Sequence, residues 1–311
     1  MASSVRTRAL GRPRRLSLLK KDRKGVASTV GTIMALLVFL TFMSLIINNY
    51  VPAWMLDNER SHMNAVIDQF GQLKGDVDGM ITQQRMTGDN SMKLYAPITL
   101  GASGVPIFAS PTAGILKYEP QGSNVTGLTV QFSYTTTGAD VTVSVNGGGK
   151  VELYAPNRYY VEQWIAYENG AILLRQTDGQ TVRAYPNLDI TKTSTSVNVA
   201  FTQIDLIGAA QSLTGADSVG FSLDLIYIDA QTYTVGGDHT WKLTMTTTYP
   251  QAWMKYLNET LAEEGLVSGT DYTLIGPTVL ASGASIIGLT LNGCGQVTYN
   301  RAYVSMSLLT S

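Results

Sequence analysis

The chain predicts an α+β fold that is mainly β: an N-terminal transmembrane and stalk helix, then antiparallel β-sandwich lobes with one short amphipathic helix. Three observations predict it. Residues 26–47 read VASTVGTIMALLVFLTFMSLII and carry no charge. Residues 63–80 repeat large apolar side chains every three or four positions, the spacing of one helical face. From Leu94 onward, short runs rich in Thr, Val and Tyr alternate with Gly, Asn, Asp and Pro, as in antiparallel sandwiches.

The first element is a basic leader, residues 1–25. The net charge of −1 over 311 residues hides its asymmetry. Residues 1–24 hold nine Lys/Arg against Asp22, whereas the remainder holds 13 Lys/Arg against 22 Asp/Glu. A basic block beside a long apolar run sets membrane orientation, and nucleic acid is not the expected partner. The single cysteine, Cys294, cannot form an intrachain disulfide and reads as a small packed residue. A chain of this length buries enough apolar surface to fold without disulfides.

The second element is a transmembrane helix, residues 26–47. As a helix these 22 residues span roughly 33 Å, enough for a hydrocarbon core of about 30 Å. Cleavable secretory signals have shorter cores that end in small residues, and this run ends in Ile-Ile-Asn-Asn-Tyr. Tyr50 and Trp54 suit the headgroup region, so the helix is expected to be retained. The basic side stays in the cytoplasm, which places the chain from Asp57 onward outside the cell as a single-pass protein. The sequons at Asn124 and Asn258 are compatible with export.

A helical stalk follows, residues 48–86, with Pro52 as the expected kink. Met63, Val66, Ile67, Phe70, Leu73, Val77 and Met80 form its apolar face. Gly71, Gly75 and Gly79 form a second stripe. Either they allow close backbone approach or they end the helix early.

Two β-rich lobes are expected next, residues 94–186 and 187–311. Runs 127–134, 140–145, 171–175, 196–201, 220–227, 241–248, 285–291 and 296–309 read as strands. The run Asn146-Gly-Gly-Gly149 reads as a turn and Asp178-Gly179 as a hairpin connection. A helix near 251–264 starts after Pro250, ends at Gly265 and places Trp253, Met254, Leu257 and Leu261 on one face.

The basic leader, Lys24-Gly25, the small residues from Val26 to Gly31 and the apolar helix together resemble an archaeal type IV pilin-like N-terminus. The resemblance implies that a prepilin peptidase cuts near Gly25–Val26 and leaves the helix in place. Such N-termini often carry a Glu shortly after the cut, where this chain has Thr29 and Val30. Further stretches are similar to large archaeal membrane-anchored proteins of unknown function. These are Tyr50-Val-Pro-Ala-Trp54, Glu59-Arg-Ser-His-Met63, Asp68-Gln-Phe-Gly-Gln-Leu-Lys74, Tyr159-Tyr160 and Tyr167-Glu-Asn-Gly-Ala171. That group implies a location and a β-rich outer domain, not an activity.

Chemistry-bearing residues are sparse. The two histidines, His62 and His239, lie far apart in sequence and lack the spacing of a zinc site or triad. Gly147-Gly-Gly-Lys150 lacks the spacing of a phosphate-binding loop. Glu162, Glu168, Asp178 and Asp189 lie near aromatics, and a glycosidase pair would be assembled only in three dimensions. Tyr154, Tyr159, Tyr160, Trp164 and Tyr167 form the densest aromatic stretch and are the candidate ligand surface. No catalytic residue, cofactor or metal is expected. The expected role is a membrane-anchored surface protein that binds, adheres or assembles. The membrane, a prepilin peptidase, further copies of the chain and other pilin-like subunits are its expected partners. A processed filament subunit and an ectoenzyme or binding module for envelope polysaccharide are the alternatives.

Overall fold

The computed structural model describes residues 19–123, 125–136 and 139–309. In chain order its elements are α1 (Leu19–Leu45), a π-helical turn (Ile46–Tyr50), α2 (Val51–Thr87), β1 (Lys93–Thr99), β2 (Gly114–Glu119), β3 (Gly127–Thr136), β4 (Ala139–Gly147), β5 (Lys150–Ala155), β6 (Gln163–Glu168), β7 (Ala171–Gln176), β8 (Gly179–Ala184), β9 (Leu188–Lys192), β10 (Val197–Ile207), β11 (Gln211–Gly215), β12 (Ser218–Thr247), α3 (Pro250–Glu263), β13 (Tyr272–Val279) and β14 (Ser285–Leu309). The chain divides into two units, one ending at Pro52 and the other running from Ala53 to Ser311.

The first unit is helical. Its large apolar side chains from Val30 to Ile47 are largely exposed. Ahead of Pro52 the helix widens into the π-turn, and the Val51 amide donates to the Ile46 carbonyl, five residues back. The Asn48 amide nitrogen donates to the Ser44 carbonyl at 2.8 Å, and that of Asn49 to the Leu45 carbonyl at 3.2 Å. Proline has no N–H to give, and a widened turn is one of the few ways a helix adjusts around it. The feature expected as a kink at Pro52 is therefore a π-turn just before it.

In the second unit, β4-β3-β12-β14-β10-β9 form the path of an eight-stranded sheet, with β1 on β12 and β13 on β14. The order β11-β2-β5-β6-β7-β8 forms a six-stranded sheet. Neighbouring strands run antiparallel, except that β10 runs parallel to β14. Strands expected as separate pairs at 220–227 and 241–248, and at 285–291 and 296–309, are the single long strands β12 and β14. Their mutual register shifts at Leu225/Tyr227 and between Thr234 and Trp241. The run Gly236–Thr240 around His239 is this second irregularity. Bulges of this kind bend a strand without ending it.

Two apolar cores flank the six-stranded sheet. One gathers Ile165, Tyr167, Ile172 and Leu174 with α2 and the Gly220–Leu225 part of β12. The other gathers Ala166, Ala171 and Leu173 with β3, α3 and the Trp241–Met245 part of β12. Neighbouring residues of β6 and β7 point to opposite cores, so both faces of this sheet are buried. The expected lobe boundary between 186 and 187 does not separate the strands. β1, β3 and β4 join the sheet of the later strands, and β11 joins the sheet of the earlier ones.

The expected stalk is also part of this core. Met63, Val66, Phe70, Leu73, Val77 and Met80 are all buried, with Ile67 packed at their edge. α2 thus reaches Thr87 as a packed core helix and is no free stalk. Neither explanation for the glycine stripe holds. A Cβ at Gly71, Gly75 or Gly79 would meet nothing within 4 Å, and the helix does not end there. Each Gly→Ala change at these positions is therefore expected to stabilise the protein by roughly 1 kcal/mol. Denaturant titration of the detergent-solubilised chain checks this. A destabilised variant would mean that the stripe carries a contact.

The remaining local readings hold. β3, β4 and β7 lie where expected, and Gln176 pairs with Gly179 across a two-residue hairpin. Gly148 and Gly149, at φ +108° and +126°, turn β4 into β5. α3 buries Ala252, Trp253, Tyr256, Leu257 and Leu261 and stops before Gly265. Cys294 is buried and free, and burial pushes its thiol up to about 11, so it is a packing residue.

Candidate functional site

The six-stranded sheet brings its charged residues to one buried face. Period-two alternation puts Lys150, Glu152 and Tyr154 of β5 on the side opposite Val151 and Leu153. On β6 the same side carries Trp164, Ala166 and Glu168. Register then places Glu119, Lys150 and Glu168 in one cross-strand row, and Tyr154, Trp164 and Arg175 in another.

The charged row closes into a network beneath α3. Lys150 Nζ lies 3.2 Å from Glu152 Oε2 and 3.4 Å from Glu119 Oε2, and donates to Thr248 Oγ1 at 3.1 Å. The Tyr249 hydroxyl donates to Glu152 Oε2 at 2.7 Å. The Trp253 indole donates to Glu168 Oε1 at 3.0 Å. Lys150, Glu152 and Glu168 are all buried. Burial pushes the Glu168 carboxyl up to about 7, against the pull of Lys150 and of the Thr247 and Trp253 donors. Burial also opposes the charge on Glu152, yet Lys150 and the Tyr249 hydroxyl hold it below the usual carboxylate range. The Lys150 ammonium stays above its ordinary value because Glu152, Glu168 and Glu119 outweigh its desolvation.

The aromatic row is self-satisfied. Tyr154 stacks on Trp164 at 4.7 Å between ring centroids. The Arg175 guanidinium lies 4.3 Å from the Trp164 ring and 5.5 Å from that of Tyr249. The Tyr154 hydroxyl donates to Glu162. These ring faces are occupied by one another, which removes the stacking platform that a ligand surface needs. Of the five aromatics expected there, Tyr167 is fully buried on the opposite face of β6, and Tyr160 packs against the α2 core. Only Tyr159 is exposed, at 43%. The five do not form one surface.

Sequence reasoning missed the anchor between α2 and the sheets. The Glu59 side chain is fully buried. Its carboxylate accepts the backbone amides of Arg158 at 3.0 Å, Tyr159 at 2.8 Å and Tyr160 at 2.7 Å, and the Thr112 hydroxyl at 2.8 Å. One turn on, His62 Nε2 lies 2.9 Å from the Thr99 carbonyl, and Gln69 binds both the amide and the hydroxyl of Thr99. Only the resemblance had drawn attention to Glu59–Met63 and Tyr159-Tyr160, and the fold joins those two stretches here.

Among the described residues no group of His, Cys, Asp and Glu is placed to hold a metal. His239 contacts the Thr135 hydroxyl at 2.9 Å, in the eight-stranded sheet. Depressions of 440, 230, 370 and 250 Å³ open on the surface. The 440 Å³ one is lined by Thr, Ser, Asn, Gln, Gly and Leu and has no titratable group. None of the four brings two carboxylates together, and Glu168 lines none of them. Asn258 is exposed on α3, where its Oδ1 accepts the Tyr272 hydroxyl at 3.3 Å. Asn124 lies outside the described residues. Gly25 and Val26 lie within α1.

These features define a class: a mainly-β domain built on a core helix, preceded by one helix long and apolar enough to cross a membrane. The chain belongs to a family of unknown function, DUF7289, whose model matches residues 119–274. That span covers the ionic cluster, the aromatic row and all of α3. No curated protein and no solved structure matches the chain.

Proposed function

We propose that this chain is a single-pass, membrane-anchored cell-surface protein whose β domain works by binding or assembly, without catalysis. The contrast between the two helical segments carries the reading. Large apolar side chains on α1 face outward, whereas those of α2 from Met63 to Ile81 pack into the domain core. Exposed apolar surface on this scale marks a membrane or an assembly partner. The nine Lys/Arg of residues 1–24 favour a cytoplasmic N-terminus and an extracellular β domain. The sealed charges of the six-stranded sheet serve the fold rather than a substrate.

A pilin-like subunit, processed near Gly25–Val26 and assembled through its helix, is the second reading. It is favoured by an apolar helix followed directly by a core-packed one. Protease treatment of intact cells, followed by mass spectrometry of membrane-retained peptides, tests both. Loss of the β domain with retention of a helix-bearing fragment is expected. A β domain protected in intact cells overturns the orientation. A mature N-terminus at Val26 selects the processed subunit, and an intact leader selects the simple anchor.

A further inference from the structure

The four strands that end the sheet paths are β4, β9, β8 and β11. Three are guarded in the usual ways. β9 has five residues and a Lys192–Asp271 ion pair at 2.7 Å, β8 carries Arg183, and β11 has only five residues. β4 differs. It has nine residues, no Pro, Lys or Arg, and among the described residues it pairs only with β3. Its free edge has a defined polarity. The Asn146 carbonyl accepts from Arg301 Nη2 at 2.6 Å, on the side away from β3. In an antiparallel ladder alternate residues face the same partner, so Asp140, Thr142 and Ser144 also aim N–H and C=O outward.

From this geometry we infer that β4 is a self-pairing edge, and that its partner is the β4 strand of a second copy of this chain. The sequence Asp140-Val-Thr-Val-Ser-Val-Asn146 is nearly symmetric about Val143. An antiparallel two-fold pairing centred there sets Thr142 against Ser144 and Val141 against Val145. It sets Asp140, the only charged residue of β4, against Asn146, whose carbonyl already accepts from the Arg301 guanidinium, so the carboxylate meets a cation rather than another carboxylate. Thr142 and Ser144 would then exchange their outward bonds as hydrogen-bonded pairs. The half-buried valines would continue the apolar face that Val143 and Val145 already extend from the β3 core. Like charges directly opposed destabilise a strand pair, and this register contains none.

The test uses the full chain in detergent micelles, with buried Cys294 left in place. Light scattering is expected to give twice the chain mass, falling to a single chain in the exposed-edge variant Thr142→Lys, whose circular dichroism stays that of the native chain. Two variants that each add one exposed cysteine beside buried Cys294, Thr142→Cys and Ser144→Cys, are then mixed under oxidising conditions. The mixture is expected to cross-link several-fold more than either variant alone. Hydrogen-bonded partners lie about 5.5 Å apart, within disulfide reach, while each residue and its own copy are offset by two positions and exceed about 7 Å. A monomeric native chain overturns the inference. So does a dimer that persists in Thr142→Lys, or equal cross-linking with and without mixing.

Discussion

Replacing Glu59 with Ala is expected to destabilise the β domain by on the order of 3–4 kcal/mol. Among the described residues the carboxylate is the acceptor for three consecutive backbone amides and the Thr112 hydroxyl. An amide left buried without a partner costs about 1–3 kcal/mol, and bonds to an ionised acceptor are the stronger kind. Glu59→Gln keeps one acceptor oxygen and should lose less. Thr112→Val removes a single neutral donor and should cost about 1 kcal/mol. Guanidinium unfolding of the detergent-solubilised chain, followed by tryptophan fluorescence, separates the three. A loss below 1 kcal/mol in Glu59→Ala would show that Arg158–Tyr160 finds other acceptors and that apolar packing alone holds α2.

The second large effect is a pH dependence with an unusual sign. Glu168 has a folded-state value of about 7, above the ordinary 4.5 of an exposed or unfolded Glu. Between these values the folded state holds a proton that the unfolded chain has released. Stability from this group is therefore complete below about pH 4.5 and is lost as pH rises through 7. The difference corresponds to about 3 kcal/mol. Glu152 acts the opposite way. Its lowered value gives stability that is present above 4.5 and lost as pH falls further. The two together place the optimum near the start of the interval, with a decline toward neutrality. The groups facing Glu168 that shape this curve are Lys150, Glu152, Thr247 and Trp253. Glu168→Gln keeps an acceptor for the Trp253 indole and removes the titration. Its unfolding midpoint is expected to lose the decline from pH 5 to 8 and to be higher than that of the native chain at pH 8. A native chain whose stability rises across this interval would show that Glu168 is ionised when folded. In contrast, Lys150→Met leaves Glu119 and Glu152 without their cation and should cost about 3–5 kcal/mol.

Much of this molecule is written in local pattern. The uncharged run 26–47, the apolar face Met63–Met80, the Pro250-to-Gly265 helix and the Asp178-Gly179 hairpin could all be read directly. Each depends on a side-chain period or a turn residue within a few positions. The strands of the outer domain were legible as strands for the same reason. Lys150, Glu152 and Tyr154 even show the period that puts them on one face. Their burial was not legible, because β5 has buried residues on both faces and α3 covers the charged one from about 100 residues further along the chain.

What only the tertiary structure decided is which segments meet. Strands 220–227 and 241–248 became one because a bulge bends β12 from one core to the other. The stalk became a core helix because its apolar face packs against strands far along the chain, with Glu59 bound to amides about 100 residues away. The aromatic stretch dissolved as a surface because β6 sends Trp164 and Tyr167 to opposite faces. By itself the sequence determined a charged leader, an apolar helix long enough for a membrane and a β-rich remainder, since composition and short-range period are properties of a chain segment. Pairing, register and burial belong to contacts between distant segments, and those are set by the packing of the whole domain.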